Sequence, residues 1–255
     1  DLLRPFVDAF RARDLGVGFY YSLLDWHHPD YVLDPVFGPY RDHPDREKMN
    51  QGRDQKRYAA YLRGQIRELL TTYPDVKLLW CDFSYSRPDG TGKGRNDWDS
   101  DNLIKMIREI APGLMINNRL DVPDAYDFVT PEQFQPREAI RIDGKPAVWE
   151  ACQTFSGSWG YFRDENDWRG IDNLVQTLID CVSKDGNLLL NVGPTGRGEF
   201  DSRALDRLRG IGAWMKKHSR SIYGCGSAPS EFTAPNDSQI GRATSELQSR
   251  QVISY

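Results

Sequence analysis

Two acidic residues lie where paired acid–base chemistry could be carried out. Asp82 ends the apolar run Leu78–Cys81, so a strand would present its carboxylate at the tip. Glu132 follows Thr130 and Pro131 in a segment without helical or alternating periodicity. Cleavage of a glycosidic bond needs two such groups, one ionised as nucleophile or base and one protonated as acid. A loop cap at Asp82 and a helix start at Glu132 are the structural alternatives, so neither residue is specific alone.

Side chains that can hydrogen-bond to hydroxyl groups follow two predicted strands. His27 and His28 lie in the loop after the first strand, where two imidazoles can donate to or accept from vicinal hydroxyls. Arg119 follows Ile116–Asn118 and can bind a ring oxygen or hold a catalytic carboxylate in its charged form. A structural histidine pair and an ordinary salt bridge at the rim are the competing interpretations.

Aromatic residues near these positions supply flat faces. Trp26 precedes the histidine pair, and Trp159 lies in the segment Ser158–Tyr161. Such rings can stack on the C–H side of a sugar, although structural packing competes with that interpretation. Glu150, directly after Trp149, ends a predicted strand and is either a substrate contact or a packing residue.

The elements that must position these residues alternate along the chain. Helical spacing of apolar residues predicts helices over 2–15, 54–73, 101–111, 171–183 and 202–218. Short apolar runs bounded by breakers predict strands over 17–22, 76–82, 114–117, 126–129, 147–150 and 187–192. Strands separated by amphipathic helices indicate parallel crossovers, and hence an α/β fold.

The polar ends of the strands favour one α/β architecture. In a parallel barrel the carboxyl ends of all strands open on one face, where reacting groups gather. A doubly wound sheet would also gather them, but no GxGxxG or Walker loop follows any strand. The strands are too few to close a (β/α)8 barrel. We therefore expect a partial, TIM-like barrel that lacks its N-terminal strands.

Composition excludes several classes of function. The 255 residues, 39% hydrophobic and 27% charged, are typical of one or at most two globular domains. No apolar run approaches the ~20 residues of a spanning helix, and a net charge of −4 with interspersed signs gives no footprint for nucleic acid or an anionic membrane. Neither a zinc-type Cys/His spacing nor a G-x-S-x-G elbow is present, so we predict no metal, no cofactor and no serine nucleophile.

Taken together and in order, the motifs resemble the α-L-fucosidases of glycoside hydrolase family 29. The resemblance runs from about residue 1 to about 226 and rests on the segments 20–22, 25–31, 79–82, 117–119, 130–132, 149–152, 158–161, 185–194 and 221–224. It implies a retaining exo-hydrolase on a (β/α)8-like barrel that removes terminal α-L-fucose from glycans or glycoconjugates. It also implies a periplasmic, secreted or lysosome-like location, with no cofactor.

The resemblance assigns roles to the candidate residues. Asp82 matches the family nucleophile, and Glu132 matches the position where many members carry the acid/base, with Glu150 as its rival. His27, His28 and Arg119 match residues that hold fucose hydroxyls and the surroundings of the nucleophile. The retaining assignment implies carboxyl groups roughly 5 to 5.5 Å apart.

The resemblance also implies a domain plan. By this plan residues 1–226 form the catalytic barrel portion and 227–239 begin a linker to a missing C-terminal β-sandwich. Residues 240–255 are predicted, from their own sequence, to be a non-native tail that resembles a read-through of a sequencing adapter. The N-terminal strands of the family barrel, with a His-His-Asp-Gly segment that helps to wall the fucose pocket, are expected to be absent. A catalytically inactive fucose-binding or structural fragment is therefore the alternative, and a different retaining glycosidase is a third.

Overall fold

A computed structural model describes residues 1–227 of the chain and shows a mixed α/β protein. The chain divides into two compact units, unit 1 up to Phe128 and unit 2 from Val129 onward. The predicted linker at 227–239, apart from Ser227, and the predicted tail at 240–255 lie outside the described residues. Within those residues, no helix combines the length and the apolar character that crossing a membrane requires.

Unit 1 contains one parallel sheet and its helices. The helices are α1 (Leu3–Arg11), α2 (Arg46–Met49), α3 (Gln55–Thr72), α4 (Arg95–Trp98) and α5 (Ser100–Ile110), and the strands are β1 (Gly18–Ser22), β2 (Leu78–Asp82) and β3 (Met115–Ile116). The strands run parallel in the order β1-β2-β3, with Ser22 opposite Asp82. The parallel pairing predicted from the alternation of strands and helices is confirmed here, and Asp82 lies at the carboxyl end of the central strand.

The longest helix of unit 1 shows why the local sequence folds as it does. Asp54 caps α3, because its carboxylate accepts hydrogen bonds from two backbone N–H groups of the first turn. Tyr58, Leu62 and Ile66 recur at helical spacing and are buried in one hydrophobic core with Leu79 of β2. This packing fixes β2 against α3 and so fixes the strand that carries Asp82.

Unit 2 contains a second parallel pair and a small hairpin. Its elements are β4 (Arg141–Ile142), β5 (Lys145–Pro146), β6 (Glu150–Thr154), α6 (Ile171–Ser183), β7 (Asn187–Asn191), α7 (Ser202–His218) and a 3-10 turn (Ser219–Ser221). Strands β6 and β7 pair in parallel, with Glu150 opposite Asn187 and Thr154 opposite Asn191. The helices predicted over 171–183 and 202–218 are confirmed with the same bounds.

Three features of the strands differ from the sequence prediction. The strand predicted over 147–150 lies at Glu150–Thr154 instead, because its buried polar residues Gln153 and Thr154 do not look like a strand in the sequence. The strand predicted over 126–129 is reduced to isolated parallel bridges at Phe128 and Val129. The β4–β5 hairpin was not predicted, although Asp143-Gly144, both with positive φ, is the sequence signal of a tight two-residue turn.

Candidate active site

Asp82 is the best-defined candidate catalytic group in unit 1. Its side chain is only 16% exposed, and Oδ1 accepts a hydrogen bond from Nη1 of Arg119 at 2.7 Å. Oδ2 accepts from the Tyr20 hydroxyl at 2.7 Å, and the backbone N–H of Phe83 donates to Oδ1 at 2.8 Å. One positive charge and two neutral donors therefore fix the carboxylate at the end of β2 and compensate its negative charge.

A stack of three side chains supports that arrangement. The Arg119 guanidinium lies over the Trp80 ring at 4.5 Å, and the Tyr20 ring stacks against the same indole at 5.8 Å. Trp80 precedes Asp82 by two residues, so both side chains leave the same face of β2. The indole therefore orients the two groups that donate to Asp82. The position of Arg119 after a predicted strand indicates a contact with a carboxylate, whereas no local pattern indicates Tyr20, because its contact with Asp82 joins two strands.

Asn117 fixes the backbone beside Asp82. Its side-chain amide accepts from the Cys81 N–H at 3.0 Å and donates to the Cys81 carbonyl at 2.8 Å, in a site that is 1% exposed. Its own backbone forms a parallel bridge with Phe128. The amide thus continues the ladder of β2 beyond the end of β3, and it holds in place the residue that precedes the candidate nucleophile.

The other candidates in unit 1 divide into accessible and packed groups. His27 is exposed, whereas the His28 ring packs on Tyr61 at 4.2 Å and its Nδ1 accepts from the Asp30 N–H at 3.1 Å. Trp26 is half-buried and stacks on Phe37 at 6.2 Å. The adjacent histidines therefore have different surroundings, and His28 has contacts typical of a structural residue.

Glu132 lies in an extended segment of unit 2. The residue is exposed and forms a parallel bridge with Cys152 of β6. The bridge is closed by two backbone hydrogen bonds of 3.0 Å, from Cys152 to the Pro131 carbonyl and from Gln133 to the Cys152 carbonyl. Glu132 therefore lies outside the named strands, as the absence of periodicity predicts, but its backbone is held alongside β6.

Glu150 and Trp159 occupy different ends of β6. Glu150 is the first residue of β6, so the prediction that it ends a strand is wrong; the carboxyl end of β6 is Thr154. Trp159 lies in the loop after that end, 41% exposed, with its carbonyl accepting from the Asn191 amide at 2.6 Å. Because reacting groups gather at carboxyl ends in parallel α/β folds, the position of Glu150 argues against it as the acid/base.

Backbone conformation singles out both leading carboxylates. Within residues 1–227, eight non-glycine residues have positive φ, and six of them are aspartates, which tolerate this region. The other two are Phe83, at +74°, and Gln133, at +59°, and each directly follows a candidate catalytic acid. Such conformations cost of order 1–3 kcal/mol each and cluster at functional sites. The chain therefore turns sharply after Asp82 and after Glu132.

Residues 1–227 contain no group of three or more His, Cys, Asp or Glu side chains that could hold a metal ion. An α/β fold with an arginine-bound carboxylate at the carboxyl end of a parallel strand defines the class of protein: one whose site presents a carboxylate in a fixed position.

Comparisons with known proteins narrow this class to one family. The sequence profile described as Alpha-L-fucosidase matches residues 1–220. The plasma alpha-L-fucosidase of Pongo abelii is 29% identical over 235 residues, covering 88% of this chain and 45% of the relative. The tissue alpha-L-fucosidase of Homo sapiens is 28% identical over 237 residues, with 88% and 45% covered.

Solved structures agree with the sequence comparisons. Alpha-L-fucosidase isoenzyme 1 from Paenibacillus thiaminolyticus is 45% identical with a TM-score of 0.79, covering 91% of this chain and 56% of that one. A GH29 alpha-L-fucosidase from Bacteroides thetaiotaomicron is 26% identical with a TM-score of 0.70, with 89% and 52% covered. The chain belongs to the α-L-fucosidase family, glycoside hydrolase family 29. It spans about half the length of the curated relatives it matches.

Proposed function

We propose that this chain carries the catalytic groups of a retaining exo-α-L-fucosidase acting on fucosylated oligosaccharides or glycoconjugates. The observation that carries the proposal is the setting of Asp82, a carboxylate fixed by Arg119 and Tyr20 at the carboxyl end of a parallel strand. Membership of the α-L-fucosidase family supports the choice of sugar. We also propose that the parallel strands belong to a partial (β/α)8 barrel, as the resemblance implies.

The proposed reaction has two displacement steps. In the first, an Asp82 oxygen attacks C1 of the fucosyl residue while Glu132 gives its proton to the departing glycosidic oxygen, so that the alcohol leaves and a fucosyl ester forms on Asp82. In the second, Glu132 removes a proton from water, the water oxygen attacks C1, and the ester bond to Asp82 breaks. Two inversions give net retention.

Relatives support the covalent route. One solved structure, 26% identical to this chain, is a trapped covalent intermediate of the Bacteroides thetaiotaomicron enzyme with 2-fluoro-fucosyl fluoride, obtained with a Glu-to-Gln variant. Another, 32% identical, is a Thermotoga maritima alpha-L-fucosynthase with Asp replaced by Gly. The substituted residue is Glu in the first protein and Asp in the second, and this chain offers the same residue types at Glu132 and Asp82.

The remaining candidates are proposed as substrate contacts. Arg119 would bind a fucose oxygen from its position beside Asp82, and the exposed rings of His27 and Trp159 would offer a hydrogen-bonding edge and a stacking face. Trp26 and Glu150 are also proposed as substrate contacts. His28 is proposed to act indirectly, by anchoring its loop on Tyr61.

The nucleophile is tested with an aryl α-L-fucoside. We expect Asp82→Ala to lose turnover and to regain part of it with azide, which replaces the missing oxygen nucleophile; the product would be a fucosyl azide of inverted configuration. Glu68→Ala, an exposed acid on α3, is the matched control and is expected to retain activity. Full activity of Asp82→Ala would refute the assignment, and fucose binding by calorimetry without turnover in the unmodified chain would favour the inactive-fragment alternative.

The acid/base is tested by leaving-group dependence. Loss of a proton donor slows departure of basic alkoxides far more than of acidic phenols, so Glu132→Ala is expected to retain more activity on dinitrophenyl than on phenyl or natural fucosides. Azide should accelerate its second step. If Glu150→Ala shows this pattern and Glu132→Ala does not, Glu150 is the acid/base.

A further inference from the structure

We infer that Gln133 is a positioning residue that holds the backbone of Glu132 in its working orientation by bonding Thr154. The inference deepens the proposed function and rests on it, because it concerns the group assigned as acid/base. Gln133 is not a substrate contact in this proposal. It acts through the segment that carries Glu132.

The hydrogen bonds of the Gln133 side chain form a small ladder with β6. Nε2 donates to the Thr154 hydroxyl at 2.9 Å, and Oε1 accepts from the Thr154 backbone N–H at 3.3 Å. Thr154 is 2% exposed and ends β6, and its hydroxyl also bonds the Ser156 carbonyl. The amide therefore joins the segment after Glu132 to a buried strand end.

The backbone of Gln133 explains why its side-chain bonds to Thr154 are needed. The last backbone bond of the parallel bridge runs from the Gln133 N–H to the Cys152 carbonyl, and beyond it φ of Gln133 is +59°. This left-handed region costs conformational energy for an L-residue other than Asn or Asp, so the local sequence alone favours a negative φ at Gln133. The side-chain bonds to Thr154 offset that cost and keep the turn directly after Glu132.

The same device occurs in unit 1. The Asn117 amide continues a parallel ladder to Cys81, the residue before Asp82, with bonds of 3.0 and 2.8 Å. In each unit a side-chain amide substitutes for a missing backbone pairing next to a proposed catalytic carboxylate. Gln133 is the better test of the two because it is exposed, whereas Asn117 is 1% exposed, so substitution of Gln133 removes no buried side chain.

The test compares leaving groups in variants of the full chain. Gln133→Met keeps the length of the side chain and removes both hydrogen bonds. We expect its kcat/KM to fall about tenfold on a fucoside with a poor leaving group and much less on the dinitrophenyl fucoside, because a displaced acid loses proton transfer but not nucleophilic attack. Gln176→Met, the same change on the exposed face of α6, is the control.

Further variants at the two positions separate the effect of the Gln133–Thr154 hydrogen bonds from backbone strain and from general packing. Gln133→Gly removes the amide but also the strain of the positive φ that the amide offsets, so we expect its selective loss to be smaller than that of Gln133→Met. Thr154→Val removes the hydroxyl that accepts from Gln133, so it should show the same selective fall in kcat/KM as Gln133→Met. Thr154→Ser keeps a hydroxyl and should retain activity on every leaving group. In the Gln133→Met, Thr154→Val double variant the losses are expected to be less than additive.

The outcomes distinguish this inference from the proposed function. If Glu132→Ala has no leaving-group dependence, the acid/base assignment fails. If Glu132→Ala shows that dependence while Gln133→Met matches the unmodified chain, the positioning role of Gln133 is overturned. An equal loss on all leaving groups in Gln133→Met would also overturn it, because a general defect in folding or binding affects every substrate alike.

Discussion

The Asp201–Arg203 pair at the start of helix α7 is expected to stabilise the folded chain by an amount that depends on pH. Asp201 caps this helix and forks onto Arg203: Oδ1 accepts from the Arg203 backbone N–H and from Nε, both at 2.8 Å, and Oδ2 accepts from Nη2 at 2.8 Å. Arg203 also donates to the carbonyls of Glu165 and Arg163. The pair therefore holds the loop that carries Trp159 against the helix.

The pKa of Asp201 gives the size of the effect. The hydrogen bonds from Arg203 lower this pKa from 3.8 to about 2. A pKa shift of that size corresponds to a free-energy difference of about 2 kcal/mol between the two protonation states. Because Arg203 is 37% exposed, solvent screens the pair, and we expect its contribution to the free energy of unfolding to be about 1 kcal/mol. Asp201→Asn, which can still cap the helix, should lose this contribution; Asp201→Ala should lose about 1 kcal/mol more with the cap.

The pH dependence follows from the direction of the shift. Because the pKa is lower in the folded than in the unfolded chain, the stabilisation is complete above the unfolded value near pH 4 and declines as the pH falls toward 2. We expect the difference in unfolding free energy between the unmodified chain and Asp201→Asn to be largest at pH 7 and roughly half as large at pH 3.

Urea unfolding at a series of pH values measures that difference. Asp206→Asn, on the same helix, removes a carboxylate whose contact with Arg209 is 3.8 Å long and over 70% exposed on both sides, and it should change stability little. An Asp201→Asn variant as stable as the unmodified chain at pH 7 would refute the reasoning, as would a deficit that does not diminish in acid.

Two other substitutions test the packing around the proposed site. Asn117→Ala is expected to cost about 3 kcal/mol of unfolding free energy, measured by urea unfolding, and to lower kcat, because it leaves the buried N–H and carbonyl of Cys81 without their partners. Asn117→Asp can accept from the Cys81 N–H, but an ionised carboxylate cannot donate to the Cys81 carbonyl and would bury a charge, so this variant should lose at least as much; equal stability of all three forms would contradict this. Gly186→Ala should cost about 1–3 kcal/mol of unfolding free energy, since a Cβ there overlaps the ring of the fully buried Trp149. The control is Gly212→Ala, because a Cβ at Gly212 on α7 meets open space. A smaller loss of stability at Gly186 than at Gly212 would be inconsistent with this packing.

Sequence patterns predicted the helices better than the strands of unit 2. Helix α7 follows a capping aspartate and carries a regular apolar stripe, so its bounds were predictable. The sequence pattern misplaces strand β6 because Gln153 and Thr154 are polar yet buried. Both are held by hydrogen bonds to a segment 19 to 21 residues earlier in the chain. A local pattern cannot show that a distant chain segment will satisfy a polar side chain.

The sequence by itself determined the family, the order of the motifs and the location of Asp82 at the end of an apolar strand, because these depend on residues that are neighbours along the chain. Only the tertiary structure decided which groups bond its carboxylate. Tyr20 lies 62 residues before it and Arg119 lies 37 residues after it. They meet Asp82 because three strands pair in one parallel register, and that register is set by packing of the whole unit.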